Sequence, residues 1–390
     1  MKKIIRSLND HKTPIEFDRE QWKEAAILYF SPYFRRTSQL RSNIDAFITE
    51  LRNLARIIPH PEHLALLQWC LSLYRRVLRA DRVGAYKVMH SLFGNIGTSD
   101  ARWMNLFQTS NPLEVDAAPQ DIVFRMFETM DGVAEGCFKP QLQLIYAFAI
   151  KDATGVWPDD VLTKDFGALV ASFPPSHRNQ IPILLSDPDL NININQWRNI
   201  AAHKSYRLVA PRTIEVSFGK GKIQTRRLGI HRLRGVSRWI LNTHHAMRLA
   251  NSIVFIEHIK EIVALGFPSV ERSLSASVLQ IAHDLLTVGF EVVDWKESKQ
   301  VGMLVIRDRL EREPTEALIH ASQQMVALSI GVLTDVSTRS RIARVCIQLQ
   351  LPNGHVYGSG SVAVSAADAF SLRKISLRQY IDQIEWRHSQ

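Results

Sequence analysis

The chain has 390 residues, of which 46% are hydrophobic and 22% charged. This composition is typical of a globular protein and excludes a disordered chain, and no apolar run approaches the roughly 18 residues that a membrane span requires. The formal net charge of +10 favours a polyanionic partner, with nucleic acid the leading candidate. The three cysteines, Cys70, Cys137 and Cys346, are far apart in the sequence and indicate no disulfide framework, so a reducing compartment such as the cytoplasm is expected.

The first third of the chain is predicted to be helical. Apolar residues recur at three- and four-residue spacing in EQWKEAAILYF, QLRSNIDAFITELRNLARII and HLALLQWCLSLYRRVLRADRVGAYKVMHSLF. The basic start, MKKIIRSLNDHK, has no apolar stretch behind it and is not expected to be a signal peptide. Turn-forming residues in 107–121 predict a linker, which places an N-terminal helical region at 1–115.

A second helical block follows, and a motif helix lies behind it. The segment 122–153 is apolar on a broad face, whereas prolines interrupt 173–190 and predict loops there. The motif helix comes next in the stretch NINQWRNIAAHKSY. Several polar residues are candidate N-caps, so its first residue is left open: Asp189, Asn191, Asn193 and Asn195.

Strand patterns appear after Tyr206. The segment RTIEVSFGKGKIQTRRLGI predicts two strands that turn at Gly219-Lys220-Gly221, and a long helix is predicted from about Val236 to Leu265. Further on, VCIQLQLPNGHVYGSGSVAVS predicts a hairpin, because Asn-Gly favours a tight turn. The predicted fold is mainly α, with a helical bundle at 116–266 that carries the basic hairpin and a small α+β domain at 267–390.

The hexapeptide Arg198-Asn-Ile-Ala-Ala-His203 is the candidate site. Arginine and histidine recur at a similar spacing at five other places in the chain, but only here does asparagine directly follow the arginine. Asn199 and His203 are four residues apart and share a helix face, whereas Arg198 and His203 point about 140° apart on one helix. A composite site in a dimer, with a second copy of the helix across a two-fold axis, makes best sense of this spacing.

These residue types suit RNA cleavage without metal. RNA carries its own nucleophile in the 2′-hydroxyl group, and histidine exchanges protons near neutral pH. A guanidinium group such as that of Arg198 stabilises a pentacoordinate phosphate through charge and two-point hydrogen bonding. Asn199 would hold the phosphate or orient His203.

The sequence RNIAAH resembles the Arg-Asn-x-x-Ala-His form of the R-x4-6-H motif of HEPN-domain ribonucleases. The resemblance is specific over about ten residues and general over 120–265. It implies a helical bundle that forms a homodimer with a shared cleft, and catalytic roles for Arg198, Asn199 and His203. It also implies RNA cleavage without metal or cofactor that leaves cyclic phosphate ends. Many HEPN proteins are toxins, abortive-infection proteins or CRISPR-associated effectors, which implies a neutralising or activating partner.

A basic stretch follows the motif. Between Lys204 and Arg238 there are ten basic residues and one acid, Glu215, so nearly all of the net charge is concentrated there. Phosphate contacts with RNA, such as tRNA or mRNA, are its expected function, and a solvated face is the alternative. The candidate RNA-binding residues are Lys204, Arg207, Lys220, Lys222, Arg226, Arg227, Arg232 and Arg234.

Other readings of the same residues stay open at this point. In a structural helix end, His203 would cap the C-terminus and Arg198 would pair with an acidic neighbour. The chain would then be a non-catalytic HEPN-like module that binds RNA or protein. DNA binding through Arg339, Arg341 and Arg344 is a fainter alternative. His244 and His245 are adjacent, face different sides of a helix and are poor joint metal ligands, so no metal site is predicted.

Overall fold

The computed structural model describes residues 19–109, 118–219, 221–266, 273–372 and 374–388. They form two compact units, one of residues 23–266 and the other of residues 19–22 with 273–388. The helices up to residue 266 are Arg19–Phe30 (α1), Thr37–Ser42 (α2), Ile44–Ile57 (α3), Pro61–Ala80 (α4), Arg82–Thr109 (α5), Pro119–Val133 (α6), Lys139–Thr154 (α7), Phe166–Ala171 (α8), Pro175–Gln180 (α9), Ile194–Ala202 (α10), Ile230–Glu257 (α11) and Ile259–Val263 (α12).

The predicted helical segments of the first third are present, but two of them are divided. Asn43 separates α2 from α3, and Asp81 separates α4 from α5. Asp81 leaves the helical conformation, and one of its carboxylate oxygens accepts the backbone N–H of Gly84 at 2.9 Å. This side-chain cap starts a new helix inside an unbroken apolar pattern, which periodicity alone does not reveal.

The predicted linker at 107–121 is helical at both of its described ends. Helix α5 continues to Thr109, and α6 begins at Pro119, whose missing N–H suits the first turn of a helix. The centre of the predicted linker, residues 110–117, lies outside the described residues. The turn-forming residues in this segment therefore predict a longer linker than the structure has.

Helix α11 is the centre of the first unit. It packs against α3 and α4, which precede the predicted domain boundary at residue 115 in the sequence. It also packs against α6 and α7, which follow that boundary. On α11, Arg248 donates from Nε to Asp100 Oδ1 at 2.9 Å and from Nη1 to Glu50. The helix begins at Ile230 and ends at Glu257, not at Leu265 as predicted, because His258 leaves the helical conformation before α12.

A wide π-type turn at Ala134–Phe138 joins α6 to α7. Pro140 has no backbone N–H and would leave the carbonyl of Gly136 without its helical partner, which gives a reason for irregular winding at this place. The turn carries Glu135, whose side chain faces the motif helix α10.

Three antiparallel strands follow α10, in the order β1 (Tyr206–Ala210), β2 (Thr213–Phe218) and β3 (Gln224–Gly229). The two strands predicted for residues 212–230 are confirmed as β2 and β3, whereas β1, which lies before that segment, was not predicted. Tyr206 stacks on Phe127 of α6 with ring centroids 4.0 Å apart, which ties the start of the sheet to the helices.

The second unit is a mixed five-stranded sheet in the order β4-β5-β6-β7-β8, in which only β5 and β6 run parallel. The predicted hairpin is confirmed as β6 and β7, with Gly354 at a φ of +84° in the turn. The first unit is thus mainly α and the second is α+β. Its elements are α13 (Leu274–Thr287), β4 (Phe290–Ser298), β5 (Val301–Asp308), α14 (Pro314–Ser322), α15 (Met325–Thr334), β6 (Arg344–Gln350), β7 (Val356–Ala363), α16 (Val364–Ser371), α17 (Leu377–Ile381) and β8 (Glu385–His388).

One helical stretch among the described residues is long and apolar enough to cross a membrane, contrary to the expectation from the sequence. It is Pro314–Thr334, and half of its apolar window is buried inside the protein. The stretch consists of α14 and α15, and Leu318, Met325 and Leu328 within it belong to the hydrophobic core of the second unit. Core helices of soluble proteins have the same properties.

Candidate active site

A buried carboxylate positions the start of α10. Asp187 is 2% exposed, and its Oδ2 accepts the backbone N–H of Ile192 and the indole N–H of Trp197, each at 3.0 Å. Its Oδ1 accepts the backbone N–H groups of Asp189 and Leu190. Four hydrogen bonds to one carboxylate hold the loop against the helix, and α10 begins directly after Asn193. Of the four candidate N-caps, Asn193 holds the position, although its side chain does not cap the helix.

A backbone motif ends α10 at His203. The N–H of Ser205 bonds the carbonyl of Ile200 at 2.9 Å, and the N–H of Lys204 bonds that of Ala201 at 3.2 Å. These two bonds are a Schellman motif, which requires a left-handed residue after the C-cap. Lys204 supplies it with a φ of +52°, a conformation that glycine adopts at lower cost. His203 therefore sits at the C-cap, where its side chain is exposed.

Arg198 faces the acidic side chains of α6 and the π-type turn. Its Nη2 lies 3.3 Å from Glu135 Oε2, and its Nε lies 3.7 Å from Asp131 Oδ1. Its Nη1 also donates to Asn199 Oδ1 at 3.2 Å. Since the Arg198 side chain is 31% exposed and both acids are more so, these ion pairs are weak and exchangeable. Pairing with acidic neighbours is what the structural alternative expects of this arginine.

His203 and Asn199 line a cavity of about 630 Å³, whereas Arg198 is not among its described lining residues. The divergence of Arg198 and His203 agrees with their five-residue spacing. Asn199 connects the two sides, because it lines the cavity and accepts the hydrogen bond from Arg198. The other lining residues are Asp165, Gly167, Ala168, Ala171, Asn195, Gln196, Ile200, Ser205, Ser217, Phe218, Gly219 and Ile223.

The turn between β2 and β3 forms one wall of the cavity and is tied to α10. The backbone N–H of Gly219 donates to Gln196 Oε1 at 3.2 Å. Gly219 has a φ of +114°, and a Cβ at this position would lie 2.5 Å from the Lys222 carbonyl oxygen, so glycine is required. On α10, which also lines the cavity, Asn195 Oδ1 is buried and has no hydrogen-bond partner among the described residues. The cavity therefore offers polar groups on two of its walls.

Part of the basic stretch is neutralised by its own acid. The strand register places Glu215 between Arg207 on β1 and Arg227 on β3. Glu215 Oε1 accepts from Arg207 Nε at 2.8 Å, and Oε2 accepts from Arg227 Nε at 2.9 Å. These hydrogen bonds, that of Arg227 first, lower the pKa of Glu215. Both arginines remain largely exposed, so the trio presents a net positive charge to solvent.

The remaining candidate RNA-binding residues differ in their partners. Lys204 Nζ lies 5.8 Å from the ring centroid of Phe124, and Arg232 Nε lies 3.8 Å from Asp189. Within the described ranges, no acid lies at ion-pair distance from three exposed cations: Lys222, Arg226 and Arg234. Lys220 lies outside the described residues.

His244 and His245 are buried in the bundle core and take no part in this site. His244 stacks on Trp103 with ring centroids 4.1 Å apart, and burial lowers the pKa of both histidines well below the usual value. Their role is helix packing.

The site contains residues that sequence patterns did not single out. The sequence Ser186-Asp187-Pro188 could have predicted a turn at Asp187, because aspartate before proline favours turns. Asp131 and Glu135 are four residues apart in a helical pattern, so the sequence could have predicted that they share a helix face. It could not have predicted that Arg198 is their partner. Comparisons with protein-family models, curated proteins and solved structures found no match to this chain.

Proposed function

We propose that the protein is a metal-independent endoribonuclease that cleaves RNA by attack of the 2′-hydroxyl group. The observation that carries the proposal is the cavity that His203 and Asn199 share. Its lining includes Ile223, which directly precedes β3, a basic strand at the edge of its sheet. A cavity of this size has room for a nucleotide beside the exposed imidazole of His203. The nearby cations attract its phosphates.

Each motif residue has a distinct role. His203 exchanges a proton with the 2′-hydroxyl group or with the departing 5′-oxygen. Arg198 stabilises the negative charge of the pentacoordinate phosphate, and Asn199 positions the phosphate between them. The products are a 2′,3′-cyclic phosphate and a 5′-hydroxyl end, and no water molecule is consumed in the first step.

The proposal includes a homodimer. Arg198 and His203 leave α10 on different sides, and Asn199, which accepts a hydrogen bond from Arg198, lines the same cavity as His203. A second copy of α10 across a two-fold axis would bring the arginine of one protomer towards the histidine of the other. In this proposal the protein resembles HEPN proteins in its helical bundle and its dimer as well as in its motif.

The proposed substrate path runs over β3 and the start of α11. Lys222, Arg226 and Arg234 are exposed and have no acidic partner in the described parts of the chain, so their charge is available to phosphates. Lys204, Arg207, Arg227 and Arg232 add to this surface once RNA competes with their present contacts. We propose RNA such as tRNA or mRNA as substrate.

The cellular setting is proposed from the motif resemblance. It is RNA degradation in the cytoplasm as a toxin or in anti-phage defence, with a neutralising or activating partner.

A non-catalytic RNA-binding module is the second candidate. The ion pairs of Arg198 with Asp131 and Glu135 favour it, because they give the arginine a structural role. In such a module the basic surface is functional and the RNIAAH motif is not.

Cleavage of total cellular RNA in excess EDTA tests the proposal. We expect the purified wild-type protein to cut, His203→Ala to be inactive with unchanged RNA affinity, and end-group analysis to give cyclic phosphates. His355→Ala is the matched control, since His355 is also exposed but belongs to the β6–β7 hairpin of the second unit.

The possible outcomes separate the candidates. Equal cutting by wild type and His203→Ala would refute the assigned site. RNA binding without cutting, lost on charge reversal of Arg226 and Arg227, would support the binding module instead.

A further inference from the structure

Three residues of metal-ligand type meet at the start of α4, away from the RNIAAH motif. His60 precedes the helix, and Glu62 and His63 lie in its first turn. One nitrogen or oxygen atom of each lies within 4.8 Å of the others. The peptide His60-Pro61-Glu62-His63 thus brings three donors together within a single turn. Their proximity does not depend on packing between distant segments.

The distances suit one small cation. His63 Nδ1 lies 3.3 Å and His60 Nδ1 lies 3.8 Å from Glu62 Oε1. Around a tetrahedral zinc ion with bonds of about 2.0–2.1 Å, ligand atoms lie about 3.3–3.4 Å apart. One edge of that tetrahedron is already present. The two imidazole rings meet edge to face, at 80° and with centroids 5.7 Å apart, so they do not stack against each other.

His63 supplies an independent observation. Its side chain is only 4% exposed, yet neither ring nitrogen makes a hydrogen bond of normal geometry with a described residue. Burying polar groups without partners is unfavourable, and few such groups occur in native proteins. A metal ion bound at Nδ1 would satisfy the nitrogen that faces Glu62.

An ordinary ion pair with Glu62 accounts for His63 less well, because His63 Nδ1 lies 3.3 Å from Glu62 Oε1 without hydrogen-bond geometry and its Nε2 has no hydrogen-bond partner among the described residues.

We propose that His60, Glu62 and His63 bind a zinc-class divalent cation through three protein ligands, with a fourth position open to water. Two imidazoles and a carboxylate suit zinc, whereas magnesium and calcium prefer oxygen ligands. The half-exposed side chains of His60 and Glu62 give the ion access from solvent. The positive end of the helix dipole opposes a cation here, and the Glu62 carboxylate offsets that effect.

Zinc titration of the EDTA-stripped, full-length protein tests this site. We expect one equivalent of Zn²⁺ from zinc chloride to bind in calorimetry, and Co²⁺ in its place to give the intense visible bands of four-coordinate cobalt. Glu62→Gln and His60→Ala each remove one ligand from a partly exposed position, so the fold is retained. Each should weaken zinc binding at least about tenfold, the scale of effect known for outer-shell partners.

His355→Ala is the control, because His355 is an exposed histidine on the β6–β7 hairpin. Its affinity for Zn²⁺ should equal that of the wild type. Absence of stoichiometric binding to the wild type, or equal affinity in Glu62→Gln and His60→Ala, would overturn the proposal. The assay contains no RNA, and the proposed cleavage is measured in EDTA, so either proposal can fail while the other stands.

Discussion

Releasing Arg198 from its acidic partners should strengthen RNA binding. The double variant Asp131→Asn/Glu135→Gln removes both ion pairs, which lie at 3.7 and 3.3 Å. Partly exposed pairs contribute about 0.5 kcal/mol each, so an RNA phosphate that takes Arg198 competes against about 1 kcal/mol. At 1.4 kcal/mol per tenfold, removing that competition predicts about fivefold tighter binding.

Fluorescence anisotropy with a short single-stranded RNA at low salt measures this gain, with every variant made in the His203→Ala background so that the RNA stays intact. The control is Asp121→Asn/Glu128→Gln, which makes the same charge change at two exposed positions of α6, the helix that also carries Asp131. It isolates the contact with Arg198 from the general attraction of a more positive protein.

The gain should also vanish when Arg198→Ala is added, since the two changes would then act through one side chain. A gain that persists in the Arg198→Ala background would refute the reasoning. Equal affinities of the double variant and its charge-matched control would refute it as well and would favour a purely structural Arg198.

Three further predictions concern how the site is held. Asp187→Ala should lower the free energy of unfolding by about 3 kcal/mol in urea denaturation, because buried donors lose a charged acceptor, whereas Asp189→Ala at an exposed position should change it by less than about 0.5 kcal/mol. Lys204→Gly should raise the unfolding free energy by about 0.5–1 kcal/mol by relieving the left-handed backbone; a loss would argue against the Schellman end. Gly219→Ala should cost more stability than Gly221→Ala, by at least about 1 kcal/mol, since both have positive φ but only Gly219 would clash with backbone. Equal losses for the two glycines would contradict the described turn.

Some of the architecture could be predicted from the sequence because the signals are local. Apolar spacing identified the helical stretches, and Asn353-Gly354 identified the β6–β7 hairpin, since turn geometry depends on neighbouring residues. The helix that carries the motif ends at His203, the helix end that the structural alternative assigned to this residue. The divergence of Arg198 and His203 followed from the angular step of an α-helix alone.

Local signals were less reliable where one side chain ends or restarts a helix. Asp81 caps α5 within a continuous apolar pattern. Asn43 also separates α2 from α3, but its side chain donates to the Gln39 carbonyl and does not cap the next helix. Strand β1 was missed because only its pairing with β2 identifies it: Arg207 and Leu208 lie opposite Glu215 and Ile214. Short strands with mixed residues depend on their partners more than on their own composition.

The sequence by itself determined which chemical groups the motif carries and that its arginine and histidine point apart. Only the tertiary structure decided what each of them meets. Arg198 lies against Asp131 and Glu135, some sixty residues earlier in the chain, and His203 faces a cavity whose walls come from α8 and the β2–β3 turn. Such partners are set by packing between distant segments, because the burial of apolar faces brings polar residues together regardless of their separation in the chain.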